Sequence, residues 1–159
     1  MKMHLVESRV LPHKAEMIWK KIRDFNSLPS WHHMIASSSI EAGKSGSEVG
    51  AVRNLFTHDG GNIREQLVAL DDHRFLIAYK ILDSGMGVSN YIAEMSLQRV
   101  TTDNGTFAVW TAQFDCEAER EKELREFVGQ QVFQDGLANL DAVLGAVVDK
   151  TVGLENVQN

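Results

Sequence analysis

The sequence predicts an α+β domain in which a curved antiparallel sheet is wrapped around one long C-terminal helix. Three observations carry this expectation. Between residues 35 and 116, apolar and polar residues alternate at period two, broken by short turns rich in Gly, Asp and Asn. From residue 117 to 149 the apolar spacing changes to three and four, as on one face of a helix. A sheet this long with one apolar face must be covered, and the terminal helix is the one element long enough to cover it.

The elements follow in order. Residues 5–11 are β-compatible and form the first expected strand. Ala15, Ile18, Trp19 and Ile22 recur at helical spacing and predict a short amphipathic helix. A second short helix is expected over residues 27–31, with Ser27 as N-cap and Pro29 in its first turn. Six strands then cover 35–41, 49–57, 61–70, 74–82, 88–100 and 106–116. Asn104-Gly105 is the strongest hairpin signal among their turns, since both residues tolerate the positive φ of a type I′ turn. The final helix carries an apolar band of Leu124, Phe127, Val128, Val132, Gly136, Leu140, Val143, Leu144 and Val147. The band drifts around the axis, which predicts a bend between Gly129 and Gly136. Residues 1–150 make a single domain, and 151–159 read as a flexible tail.

Composition narrows the function. The 159 residues are 43% hydrophobic and 24% charged, enough for one sizeable core. A net charge of −6 and no basic stripe argue against a nucleic-acid partner. The single cysteine, Cys116, excludes an intrachain disulfide and reads as a small packed residue. Scattered histidines offer no metal-ligand spacing, and no cofactor motif is present. No apolar run of 18 residues predicts a membrane segment, and no leader pattern opens the chain, so the expected location is cytoplasmic. Val52, Asn54, Phe56, Arg64 and Gln66 would form a largely polar outer face, consistent with a monomer or weak dimer.

Hairpin register sharpens the picture. A three-residue turn at His58-Asp59-Gly60 sets Arg53 opposite Glu65, Leu55 opposite Ile63 and Ala51 opposite Leu67. A turn at Asp71-Asp72-His73 then sets Glu65 opposite Tyr79, and the loop around Gly85 sets Tyr79 opposite Tyr91. Alternation puts Glu65 on the face of Ile63, Leu67 and Ala69, and Tyr79 on that of Phe75, Ile77 and Ile81. Tyr91 shares its face with Ala93, Met95 and Leu97. Arg64, Gln66, Arg74, Lys80, Asn90 and Glu94 face the other way. Arg53, Glu65, Tyr79 and Tyr91 thus make a polar rung on the apolar face. Such a rung is either a sealed structural ion pair capped by hydroxyls, or the polar floor of a cavity that orients a ligand's carbonyl or carboxylate.

The segment Trp19–Trp31 (W-K-K-I-R-D-F-N-S-L-P-S-W), S-x-I-E-x-G from Ser38, V-G-A-V-R ending at Arg53, I-R-E-Q-L-V-A-L-D-D from Ile63 and S-N-Y ending at Tyr91 together resemble START-like proteins of the polyketide cyclase/dehydrase (SRPBCC) family. The resemblance runs to about Leu144 and implies a helix-grip fold. Within that superfamily the chain is also similar to plant abscisic-acid receptors, which implies that Glu65 and Tyr91 line a pocket. Two departures argue against the hormone: Ala36 stands where those receptors carry a pocket lysine, and their gate loop is replaced by His58-Asp59-Gly60-Gly61.

The resemblance further implies that Trp31, His32 and His33 sit at the cavity mouth and that Val128, Val132 and Gly136 face the cavity, Gly136 leaving room for ligand. Leu55, Leu67, Ile81 and Trp110 complete the expected lining. The leading expectation is a non-enzymatic carrier of a small hydrophobic molecule: a lipid, polyketide, isoprenoid or aromatic compound. A cyclase or dehydratase using Glu65, Tyr79 or His32 for proton transfer is the second, and a protein-interaction module the third.

Overall fold

A computed structural model describes residues 1–157, with side chains through residue 146. Seven strands form one antiparallel sheet in the order β1-β7-β6-β5-β4-β3-β2. These are β1 (Lys2–Leu11), β2 (Ile35–Ile40), β3 (Val52–Thr57), β4 (Asn62–Asp71), β5 (Leu76–Asp83), β6 (Ser89–Val100) and β7 (Gly105–Asp115). The meander from β2 to β7 follows chain order: residues 41–51, with a 3-10 turn at Glu41–Gly43, link β2 to β3, and every later connection is a short turn that permits only antiparallel neighbours. β1 joins β7 with Leu5 opposite Ala112, bringing the first strand beside the last.

Helix α1 (Ala15–Ile22) buries Ala15, Ile18, Trp19 and Ile22, the expected stripe. Its far end is anchored by Asp72, which accepts from Trp19 Nε1 at 2.8 Å and takes the Arg23 guanidinium on both carboxylate oxygens. The second short helix is a single 3-10 turn, Leu28–Ser30. Ser27 holds the N-cap position, but its hydroxyl donates to the Lys21 carbonyl at 2.7 Å instead of capping.

The terminal helix begins with a 3-10 turn, Ala118–Arg120, and α2 (Glu121–Glu126). Where a bend was expected, the helix carries an eight-residue π-helical stretch, Phe127–Gln134, followed by α3 (Asp135–Val157). The backbone helix thus passes the expected end at residue 149 and takes in most of the predicted tail. Residues 158 and 159, and the side chain of Val147, lie outside the described residues. Within α2, the π stretch and α3, the buried hydrophobic side chains are Leu124, Val128, Phe133, Leu137, Leu140 and Leu144. One step, Val128 to Phe133, spans five residues where an α-helix would use four, and the π stretch absorbs it. Phe133 and Leu137 therefore replace Val132 and Gly136 as the innermost residues, and Phe133 stacks on Trp110 with ring centroids 4.5 Å apart. Among the described residues no helix is long and apolar enough to cross a membrane.

Two turns differ from expectation. Only Asn104, at φ 60°, is left-handed in the β6–β7 connection, and Val100 pairs with Gly105 around a four-residue loop, so the turn is not type I′. In the β4–β5 connection Asp71 pairs with Leu76, and Phe75 takes φ 53° in the loop instead of extending β5. Asp71 Oδ1 holds this loop by accepting from the His73 and Arg74 amides at 3.0 Å each.

Candidate functional site

The β3–β4 register matches expectation: Arg53 lies opposite Glu65 and Leu55 opposite Ile63. The next two rungs are displaced. Glu65 faces Ile81 and Leu67 faces Tyr79, because the β4–β5 loop is longer than three residues and β4 bulges between Leu67 and Ala69. The longer loop would flip the strand faces, and the one-residue bulge restores them. Tyr79 thus still points inward, diagonal to Glu65. It faces Ala93, so Tyr91 is also a diagonal neighbour and not the direct partner expected.

These residues meet an internal cavity of about 300 Å³. Of the residues expected in the lining, Arg53, Leu55, Glu65, Tyr79, Ile81, Tyr91, Trp110, Val128 and Val132 are there, together with His32. Four are elsewhere. Leu67 is packed in the core beside the cavity. Trp31 borders a separate void of about 20 Å³ behind Arg53 and Tyr79. Ala36 is exposed on β2, next to the irregularity between Ile35 and Ser37 that turns it outward. Gly136 is buried against side chains: a Cβ there would sit 2.8 Å from His32 Nε2 and 3.0 Å from Trp110 Cζ3. Its missing side chain makes room for the histidine and tryptophan, not for a ligand.

The lining also contains residues that periodicity did not mark. Met34, Thr57, Asp59, Gly61, Asn62, Gly85 and Met86 come from three connections far apart in sequence. Asp59, Gly61, Asn62 and Gly85 are exposed, so the opening lies between the β3–β4 turn and the β5–β6 loop. Phe127, Val128 and Val132, all from the π stretch, form the opposite wall. Phe25 was missed as well. Its carbonyl accepts from Arg53 Nη1 at 3.0 Å and its ring lies 3.9 Å from the guanidinium carbon. A single aromatic between Asp24 and Asn26 gives no periodic signal.

The polar groups have distinct states. Arg53 Nε and Nη2 approach Glu65 Oε1 at 2.8 and 2.7 Å, with both side chains under a tenth exposed. The Tyr79 hydroxyl accepts from Trp110 Nε1 at 3.1 Å and keeps its own proton to donate. Burial, with the Glu65 charge second, raises the Tyr79 phenol above its ordinary range. Burial does the same to Tyr91, whose ring stacks on Phe114 at 5.4 Å. Both phenols therefore stay protonated. His32 Nε2 lies 2.8 Å from the Val132 carbonyl and carries the proton, while Nδ1 accepts from the Met34 amide at 3.2 Å. Burial holds this imidazole below its usual value, opposed in part by the bond to Val132. With both ring nitrogens engaged, His32 ties the chain after the 3-10 turn to the π stretch and has no free lone pair for proton abstraction. His33 is exposed and bonds to Asn139. Among the described residues, no group of three His, Cys, Asp or Glu comes together to hold a metal.

The family model described as polyketide cyclase / dehydrase and lipid transport matches residues 2–145. No curated protein matches the sequence. Among solved structures, an uncharacterized protein from Bacillus thuringiensis is 29% identical at a TM-score of 0.79, over 89% of this chain and 98% of its own. A protein from Thermobifida fusca is 27% identical at a TM-score of 0.81, over 90% of this chain and 93% of its own. A norcoclaurine synthase point mutant from Thalictrum flavum, solved with a transition-state analogue, is 12% identical at a TM-score of 0.71, over 91% and 94% of the two chains. At that identity the likeness is one of fold alone.

Proposed function

Because the chain belongs to the polyketide cyclase/dehydrase and lipid-transport family, we propose that it binds or carries a small hydrophobic molecule in its internal cavity. The observation that carries this is the cavity itself: apolar walls from β3, β4, β5 and the π stretch, with a few polar groups converging at Glu65, Tyr79 and Tyr91. Its volume limits the occupant. At about 30 Å³ per water-sized group, 300 Å³ holds roughly ten such groups. A monocyclic or bicyclic aromatic, or a short isoprenoid, matches that space.

The polar groups offer little base chemistry. The tyrosines are held protonated by burial, and the His32 nitrogens are both engaged. That leaves Glu65 as the only general base a cyclase or dehydratase could use among the three candidates.

Native mass spectrometry of the purified protein, followed by an NMR titration with naphthalene, tests the proposal. A retained small molecule, or saturable shifts at Leu55, Val128 and Val132 with a dissociation constant in the micromolar range (about −8 kcal/mol), is the expected result. Ile63→Trp and Val132→Phe, which fill the cavity, should abolish the shifts while the protein stays folded. A retained polypeptide, or naphthalene shifts unchanged in both variants, would overturn it.

A further inference from the structure

The Arg53–Glu65 pair is built differently from the surface forks on the same sheet. Arg64, one position before Glu65 on β4, holds Glu41 through both oxygens: Nε to Oε2 at 2.8 Å and Nη2 to Oε1 at 2.9 Å. Arg23 spans both oxygens of Asp72 in the same way. In the buried pair, Arg53 Nε and Nη2 converge on the single oxygen Oε1. Oε2 of Glu65 is left unused. Among the described residues every fully buried side-chain nitrogen or oxygen has a partner, so an unbonded Oε2 is one that the cavity reaches.

The cation, by contrast, is already paired: three of its five N–H groups have protein partners and Glu65 balances its charge. Its Nε and Nη2 go to Glu65, its Nη1 goes to the Phe25 carbonyl, and the Phe25 and Tyr79 rings lie 3.9 and 4.9 Å from its central carbon. The other charged residue in the lining is Asp59 at the mouth, tied to the Thr57 hydroxyl and the Gly61 amide. A ligand carboxylate would therefore enter beside an open carboxylate oxygen with no free cation to meet it. An ammonium would find a carboxylate whose charge is already balanced, so the site would hold an uncompensated buried charge. Tyr79 offers a hydroxyl proton, and Tyr91 a hydroxyl that can donate or accept.

We infer that the ligand's polar end is a neutral hydroxyl, a phenol or an alcohol, donating to Glu65 Oε2 and accepting from a tyrosine hydroxyl. This rests on the cavity binding proposed above and replaces the carbonyl or carboxylate that the polar rung alone implied. A hydrogen bond to a charged group favours the donor-bearing ligand by tenfold or more over its donor-free analogue.

Five probes of nearly equal size separate the outcomes by calorimetric titration of the intact chain at neutral pH: naphthalene, 2-naphthol, 2-methoxynaphthalene, 2-naphthoate and 2-naphthylmethylammonium. The expected result is 2-naphthol binding about tenfold or more tighter than naphthalene and 2-methoxynaphthalene, with both ions weaker than naphthalene. Tyr91→Phe, which keeps the ring and removes the hydroxyl, should narrow the gap between 2-naphthol and naphthalene. If 2-methoxynaphthalene equals 2-naphthol, or either ion binds more tightly than 2-naphthol, the hydroxyl assignment is wrong while the cavity stands. If no probe binds at all, naphthalene included, cavity binding fails and the assignment with it.

Discussion

Breaking the Arg53–Glu65 pair should be far more costly than breaking its surface counterpart Arg64–Glu41. The side chains of the first pair are 7% and 9% exposed, those of the second 38% and 35%. At a separation of about 4 Å and an effective dielectric near 20, opposite charges attract by about 4 kcal/mol. Water screens the surface pair to about 0–1 kcal/mol. Glu65→Leu strands a guanidinium whose remaining protein partners are the Phe25 carbonyl and two rings, and should cost about 3–5 kcal/mol. Arg53→Met should cost less, about 1–3 kcal/mol, because the carboxylate it leaves can take water from the cavity. The double variant puts apolar groups of similar volume in both places and should lie within about 1–2 kcal/mol of the parent. Urea unfolding followed by circular dichroism gives the four stabilities, and the cycle gives a coupling of about 4 kcal/mol. A second cycle on Arg64 and Glu41 is the internal control. Coupling below about 1 kcal/mol for Arg53–Glu65, equal to the control, would mean that the pair is hydrated, and the charge accounting of the cavity would fail.

Further outcomes follow from the same geometry. Gly136→Ala should destabilise by about 1–3 kcal/mol through overpacking, since its Cβ would meet His32 and Trp110. Naphthalene affinity in the folded fraction should be unchanged; lost affinity without lost stability would return Gly136 to the cavity wall. His32 has its folded-state value held below 6.5 by burial, so the unfolded chain binds more protons just below that pH. Its stabilising contribution is full above pH 6.5 and falls as pH drops from there toward the depressed folded value, with a slope of at most about 1.4 kcal/mol per pH unit. Thermal melts from pH 7.5 to 5 should show this decline, and His32→Gln should flatten it; an unaltered slope in the variant would assign the proton elsewhere. The exposed carboxylates shifted downward by their partners, Glu16 by Arg99 and Asp72 by Arg23 and Trp19, act at lower pH and leave this window clear.

Much of the architecture was legible in the residues because its signals are local. Alternation along β3 and β6, the stripe of α1 and the drift of the terminal apolar band each depend on neighbours a few residues apart. Arg53 opposite Glu65 was legible for the same reason: one three-residue turn at His58–Gly60 sets that pairing. Beyond that turn the sequence carried less. Nothing in local preference marks Phe75 as left-handed or Val68 as the site of a bulge, and the inward face of Tyr79 was expected correctly only because these two irregularities cancel. The same limit applies to the helix, where i, i+4 spacing selects Val132 and Gly136. Stacking of Phe133 on Trp110 selects a π stretch instead, and that shift turns Gly136 into a seat for His32. Ala36 and Trp31, placed by resemblance, fall outside the cavity, and its mouth draws Met34, Asp59 and Met86 from separate connections. Which oxygen of Glu65 remains open is decided by the Phe25 carbonyl and the Tyr79 ring, which lie on other segments and fix where the guanidinium sits. Periodicity records which face of an element is apolar. Only the packing of elements distant along the chain determines where those faces leave a gap, and which polar atoms look into it.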